Sequence, residues 1–102
     1  MTEYILAIDL GGSSIKFGVI SSDLKIQQAS AIKTNTENYE QLLVDICNEV
    51  SKFTCFDPAG ITLSIPGRID VRQKRIITAG AITCLSGQPL VDDLQNKFRY
   101  LL

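Results

Sequence analysis

An apolar run, Tyr4-Ile5-Leu6-Ala7-Ile8, leads into Asp9-Leu10-Gly11-Gly12-Ser13-Ser14, and the residues after the paired glycines do not have a helical pattern. In Ile15-Lys16-Phe17-Gly18-Val19-Ile20 the apolar side chains fall at 15, 17 and 19, a period of two, and Gly18 sits where a helix interior would be weakened. The glycine turn therefore joins strand to strand. The first strand, apolar without alternation, is expected to be buried on both faces.

The rest of the chain elaborates this opening. Ser21-Ser22-Asp23-Leu24-Lys25 reads as a turn, and Ile26 to Lys33 as a third antiparallel strand, with Ala29 and Ala31 on one face. The period then changes. Tyr39, Leu42, Leu43, Ile46, Val50 and Phe53 fall at i, i+3, i+4, i+7, i+11 and i+14, an amphipathic helix whose stripe should pack on the sheet. Thr34-Asn35-Thr36-Glu37 matches the capping box that starts such helices. Gly60 to Ile65 reads as a fourth strand stopped by Pro66-Gly67, and after a crossover helix it is most economically parallel to the first. Arg68 to Thr78 reads as a small ribbon. A last helix begins near Gln88-Pro89, with proline in its first turn, Asp92 and Asp93 near the positive end of its dipole, and Leu90, Leu94, Phe98 and Leu101 as its stripe.

Composition excludes several kinds of chemistry. The chain has 102 residues, enough for one domain, and a net charge of −1, which gives no field to steer it to nucleic acid or an anionic membrane. It contains no histidine, so neither a Ser-His-Asp nor a Cys-His mechanism can be housed in this chain alone. Cys47, Cys55 and Cys84 are widely spaced and form no CxxC, so they are expected to be reduced, small buried side chains of a cytoplasmic protein, with no zinc site. The N-terminal apolar run breaks at Asp9, and neither a signal peptide nor a membrane span is expected.

A strand ending in an acid, then Gly-Gly and two hydroxyls, has a physical use. Glycines let backbone approach a phosphate closely and adopt positive φ, their N–H groups and the serine hydroxyls can bond phosphate oxygens, and the carboxylate can sit beside the accompanying Mg²⁺. A plain hairpin turn with a solvated aspartate fits the same residues. Gly11-Gly12-Ser13-Ser14-Ile15 is not a GxGxxG entering a helix, and no GK[ST] of a P-loop is present. Arg68, Arg72, Lys74 and Arg75 form a basic cluster that reads as a solvated ribbon turn.

The stretch from Ile8 to Ile20 resembles the first phosphate motif of the actin, Hsp70 and sugar-kinase superfamily, and more narrowly that of the ROK family of repressors, open reading frames and kinases. Ile61 through Asp70 is similar to that family's strand running into a Pro-Gly-x-Val/Ile-Asp turn, Ile76 through Ile82 to its Gly/Ala-rich sugar-side loop, and Pro89 through Phe98 to the helix after it. The resemblance implies an α/β fold: an actin-like, ribonuclease H-like ATPase half-domain spanning residues 1–102, made of an antiparallel meander, a helix and a parallel strand, and incomplete at its C-terminal end. It implies transfer of the γ-phosphoryl group of ATP to a sugar hydroxyl. Asp9 would contact the Mg²⁺ shell, and Gly11, Gly12, Ser13 and Ser14 would bind the phosphates. Lys16 would neutralise phosphate charge or stand as a surface lysine. Pro66, Gly67, Gly80 and Ala81 would contact the sugar or shape its pocket as turns.

ROK proteins continue beyond such a helix with an Asn-Asp that supplies the general base, a zinc motif in many members and a second phosphate loop. None of these is in the sequence, so the chain is expected to be an N-terminal fragment of a sugar kinase, without a catalytic base and inactive alone. Two alternatives remain: a non-catalytic remnant, and a sugar-responsive ROK regulator lacking its DNA-binding module, for which no space is expected before the first strand. The loss of a strand next to the fourth predicts self-association through an open sheet edge.

Overall fold

The period-two segments pair as the glycine turn requires. The computed structural model describes residues 3–65, 68–70, 72, 75–78 and 80–98. Strands β1 (Tyr4–Leu10), β2 (Ser14–Ser21) and β3 (Ile26–Lys33) form an antiparallel meander, and β4 (Gly60–Ser64) adds to β1 in parallel, giving the order β3-β2-β1-β4. Helix α1 (Tyr39–Val50) and a 3-10 helix (Ser51–Phe56) make the crossover between β3 and β4. Strands β5 (Arg68–Asp70) and β6 (Arg75–Thr78) form the antiparallel ribbon, and a 3-10 turn (Thr83–Leu85) leads to α2 (Leu90–Lys97).

Strand alternation divides the sheet into unequal faces. Leu6, Ile8 and Leu10 of β1 and Ile15, Phe17 and Val19 of β2 are buried, and they share one core with Leu42, Ile46 and Val50 of α1. Phe53 stacks on Phe17 with ring centroids 6.3 Å apart, so the helical stripe runs into the 3-10 helix as its spacing predicts. Ile76, Ile82, Leu85, Leu90 and Leu94 extend the same core under the ribbon and α2. The opposite face is different. There Ala7, Gly18 and Ile20 are half-buried and Ala29 is exposed, around an open depression of about 370 Å³. β1 is thus fully buried on one side only, contrary to the expectation from its unbroken apolar run. Among the described residues the helices pack on a single face.

Other departures are local. The N-cap of α1 is Asn38, whose side chain accepts from the Gln41 amide at 3.1 Å. Asn35 Oδ1 accepts from the amides of Glu37 (3.0 Å) and Asn38 (2.9 Å), an Asx turn that delays the helix past the expected capping box. Thr34 is engaged elsewhere. Pro89 is the N-cap of α2 and lies just before its first turn, and Phe98 is its extended C-cap. Cys55 is exposed because Phe53 takes the inward position of the 3-10 helix, whereas Cys47 and Cys84 are half-buried; all three thiols are free. Leu101 lies outside the described residues.

Two polar contacts fasten the layers. The Tyr39 hydroxyl donates to Asp93 Oδ2 at 2.5 Å, joining α1 to α2, and burial followed by this carboxylate pushes the phenol above its ordinary range. Glu49, 5% exposed on α1, accepts from Ser30 Oγ of β3 at 2.6 Å and pairs with Lys52 Nζ at 2.9 Å. The Ser30 hydrogen bond, then Lys52, hold its carboxyl below the usual glutamate value. With the folded value depressed, this stabilisation is present above the unfolded value of about 4.3 and is lost as pH falls through the folded one. Thermal melts followed by circular dichroism should show Tm falling below about pH 4.3, and falling less steeply in Glu49→Gln.

Candidate functional site

The β1–β2 hairpin closes where the Gly11 amide donates to Ser14 O at 3.0 Å, leaving Gly12 and Ser13 at its tip. A Cβ on Gly11 would stand 2.8 Å from Ser14 O, and one on Gly12 would stand 2.9 Å from Ala81 Cβ. Close approach therefore requires both glycines. The positive φ expected of the pair is absent: the glycines with left-handed backbone are Gly80 (56°) and Gly87 (75°).

The β1–β2 register makes Lys16 the cross-strand partner of Asp9, and the β1–β4 register makes Ser64 its neighbour on the other side. Residues directly opposite share a face, so Asp9, Lys16 and Ser64 are brought together at the turn end of the open face. All three are exposed. Neither of the ion pairs Lys25–Asp23 and Lys52–Glu49 involves Asp9 or Lys16. Among the described residues the amides of Gly12 and Ser13 and the hydroxyls of Ser13 and Ser14 also have no hydrogen-bond partner. Amides, hydroxyls, a carboxylate and an ammonium are thus left open at one end of the sheet, beyond the carboxyl ends of the parallel strands β1 and β4. Open α/β sheets take ligands at such ends.

The loop after β3 supports the turn from behind. Thr34, 6% exposed, donates its hydroxyl to Gly11 O at 2.7 Å and its amide to Ser13 O at 3.1 Å. Thr36 O accepts from the Cys84 amide (3.1 Å) and from Thr83 Oγ1 (3.0 Å), which holds the segment after β6 beside the turn. The sequence pattern placed Thr34 in a helix cap and did not single out Ser64. Contacts across strands carry no local signature in either case. Gly80 and Ala81 are exposed, and Ala81 meets Gly12, so the loop expected on the sugar side lies next to the Gly11–Ser14 turn. Pro66 and Gly67 lie outside the described residues, as does Lys74. Arg68 and Arg75 stand on the paired strands of the ribbon, and Arg72 is exposed. Among the described residues no group of three or more His, Cys, Asp or Glu side chains could hold a metal.

The ROK family model matches residues 5–101. The chain belongs to the ROK family. It is 34% identical over 91 residues to the N-acetyl-D-glucosamine kinase of Aliivibrio fischeri, covering 87% of this chain and 30% of that protein. Its fold matches that of a ROK family glucokinase from Streptomyces griseus in complex with glucose and AMPPNP, with a TM-score of 0.84 at 19% identity, over 97% of this chain and 32% of that one. A ROK family transcriptional regulator, a homologue of the E. coli MLC protein, shares the fold with a TM-score of 0.80 at 12% identity, covering 96% of this chain and 26% of that one. This ROK chain therefore spans about 30% of the length of the curated relatives it matches.

The contact between the turn and the loop after β6 is testable. Gly12→Ala should destabilise the chain by about 1–3 kcal/mol through overpacking, measured by urea denaturation. Adding Ala81→Gly should recover much of that loss, because it removes the atom the new methyl strikes.

Proposed function

We propose that this chain is the N-terminal part of an ATP-dependent sugar kinase, in which the Gly11–Ser14 turn receives the terminal phosphates of ATP. The observation that carries this reading is the set of polar groups left open at the turn: the amides of Gly12 and Ser13, the hydroxyls of Ser13 and Ser14, and the carboxylate of Asp9 beside them. Lys16, opposite Asp9, adds a positive charge to the same face.

Mg²⁺ keeps several waters and is held through one or two carboxylates together with substrate phosphates, so a single open carboxylate fits it where a protein cage does not. Asp9 is the residue that would hold it, and the ion would neutralise phosphate charge there. Phosphoryl transfer depends on alignment and charge stabilisation. The chain's own residues supply the phosphate half of that task, and by resemblance to the family Pro66, Gly67, Gly80 and Ala81 are assigned to the sugar. The base for the sugar hydroxyl belongs to the remainder of a ROK kinase, so this chain alone is inactive. The curated relatives make N-acetyl-D-glucosamine the first sugar to test.

A coupled assay of ADP release tests the reading. The chain alone should give no turnover, and the chain joined to the C-terminal two-thirds of a ROK kinase should give turnover with a hexose. In the fusion Asp9→Asn should lower kcat by about tenfold or more, a loss of about 1.4 kcal/mol or more in transition-state stabilisation. Unchanged kcat in Asp9→Asn would remove the role given to that carboxylate.

The other partners are argued from charge and edges. A net charge of −1 supports no binding to nucleic acid. No helix among the described residues is long and apolar enough to cross a membrane. Three free thiols support a cytoplasmic location. Among the described residues β4 pairs on one side only, and we place self-association of the chain at its open edge. Light scattering should show mass rising with concentration; a constant monomer mass would refute the association.

A further inference from the structure

We infer that Thr34 is a positioning residue for the phosphate turn: by holding the carbonyl of Gly11 from behind it aims the amide of Gly12 at the ligand, and by holding that of Ser13 it fixes the other end of the tip. The inference rests on the reading of that turn as a phosphate site and goes beyond it, because both donors of Thr34 are engaged with the turn itself.

The peptide bond is planar, and in a trans peptide the C=O of one residue and the N–H of the next point in opposite directions. Gly11 O accepts from Thr34 Oγ1 at 2.7 Å, so the amide of Gly12, in the same peptide plane, points away from Thr34. Ser13 O accepts from the Thr34 amide at 3.1 Å, which fixes the peptide plane between Ser13 and Ser14 at the other end of the tip. One residue thus orients two peptide planes of a turn that, among the described residues, is otherwise closed by the Gly11–Ser14 hydrogen bond alone.

Neither turn glycine has a positive φ that would hold the conformation by itself. Without the Thr34 hydroxyl, the Gly11–Gly12 plane is free to rotate, since a glycine pair offers little steric resistance. A donor array that must be ordered on binding binds more weakly than one already ordered. Thr34 is nearly buried, and its hydroxyl has this single partner among the described residues, so removing it acts on the turn.

The amide spectrum of the labelled chain, titrated with Mg-ATP, tests the inference with Thr34→Ser, Thr34→Val and Thr34→Ala. Thr34→Ser keeps the donor and should bind as the parent does. Thr34→Val keeps the shape without the donor. It should retain the parent's far-ultraviolet circular dichroism, shift the amides of Gly12 and Ser14 in the free chain, and bind Mg-ATP about five- to tenfold more weakly. Thr34→Ala gives a second donor-free variant should valine not be accommodated. Equal affinity in the serine variant and a folded donor-free variant would overturn this inference alone. Absence of Mg-ATP-dependent shifts at Gly12 and Ser13 in the parent would overturn the phosphate-site reading and this inference with it. Unfolding of both donor-free variants while Thr34→Ser folds would reduce Thr34 to a structural residue and overturn the inference.

Discussion

The backbone contact between Gly11 and Ser14 governs this molecule. A hydrogen bond of 3.0 Å closes β1 onto β2 with a two-residue tip, and a Cβ at Gly11 would meet the carbonyl that accepts it. Everything near the open end of the sheet is arranged from this point. Counting back from the tip places Asp9 opposite Lys16, and counting along β1 places Ser64 of β4 beside Asp9. A slip of one residue would send Asp9 into the core and bring Leu10 or Ile8 to the surface.

Two chain segments distant in sequence converge behind that contact, the loop after β3 and the segment after β6. Thr34 holds the two carbonyls of the turn, Thr36 holds the segment at Thr83 and Cys84, and Ala81 fits against Gly12 where no side chain could stand. The polar groups behind the turn are therefore satisfied, and those in front are open. That asymmetry is the observation on which the proposed phosphate site rests.

Much of the fold was readable from the order of the residues. The change from period two to the helical stripe of Tyr39, Leu42, Leu43 and Ile46 located the meander and α1, and the β-branched run before Pro66 located β4. The ribbon and α2 were equally visible in their apolar spacing. Errors arose where one residue type serves two purposes. Thr34-Asn35-Thr36-Glu37 has the composition of a capping box, yet Asn35 turns the backbone and Asn38 caps the helix. Gly11-Gly12 suggested left-handed backbone, yet steric closeness explains both glycines. The unbroken run of β1 suggested burial on two faces, yet the helices cover only one among the described residues.

Periodicity, turn chemistry and the acid-glycine-hydroxyl string are properties of neighbouring residues, so the strands, the helices and the glycine turn that joins β1 to β2 could be read from the sequence. Which groups at that turn are held and which are free depends on β3 lying beside β2 and on the segment after β6 folding back to it. Those contacts join residues far apart along the chain. No local pattern encodes them, because they exist only once the sheet has paired and the core beneath it has closed.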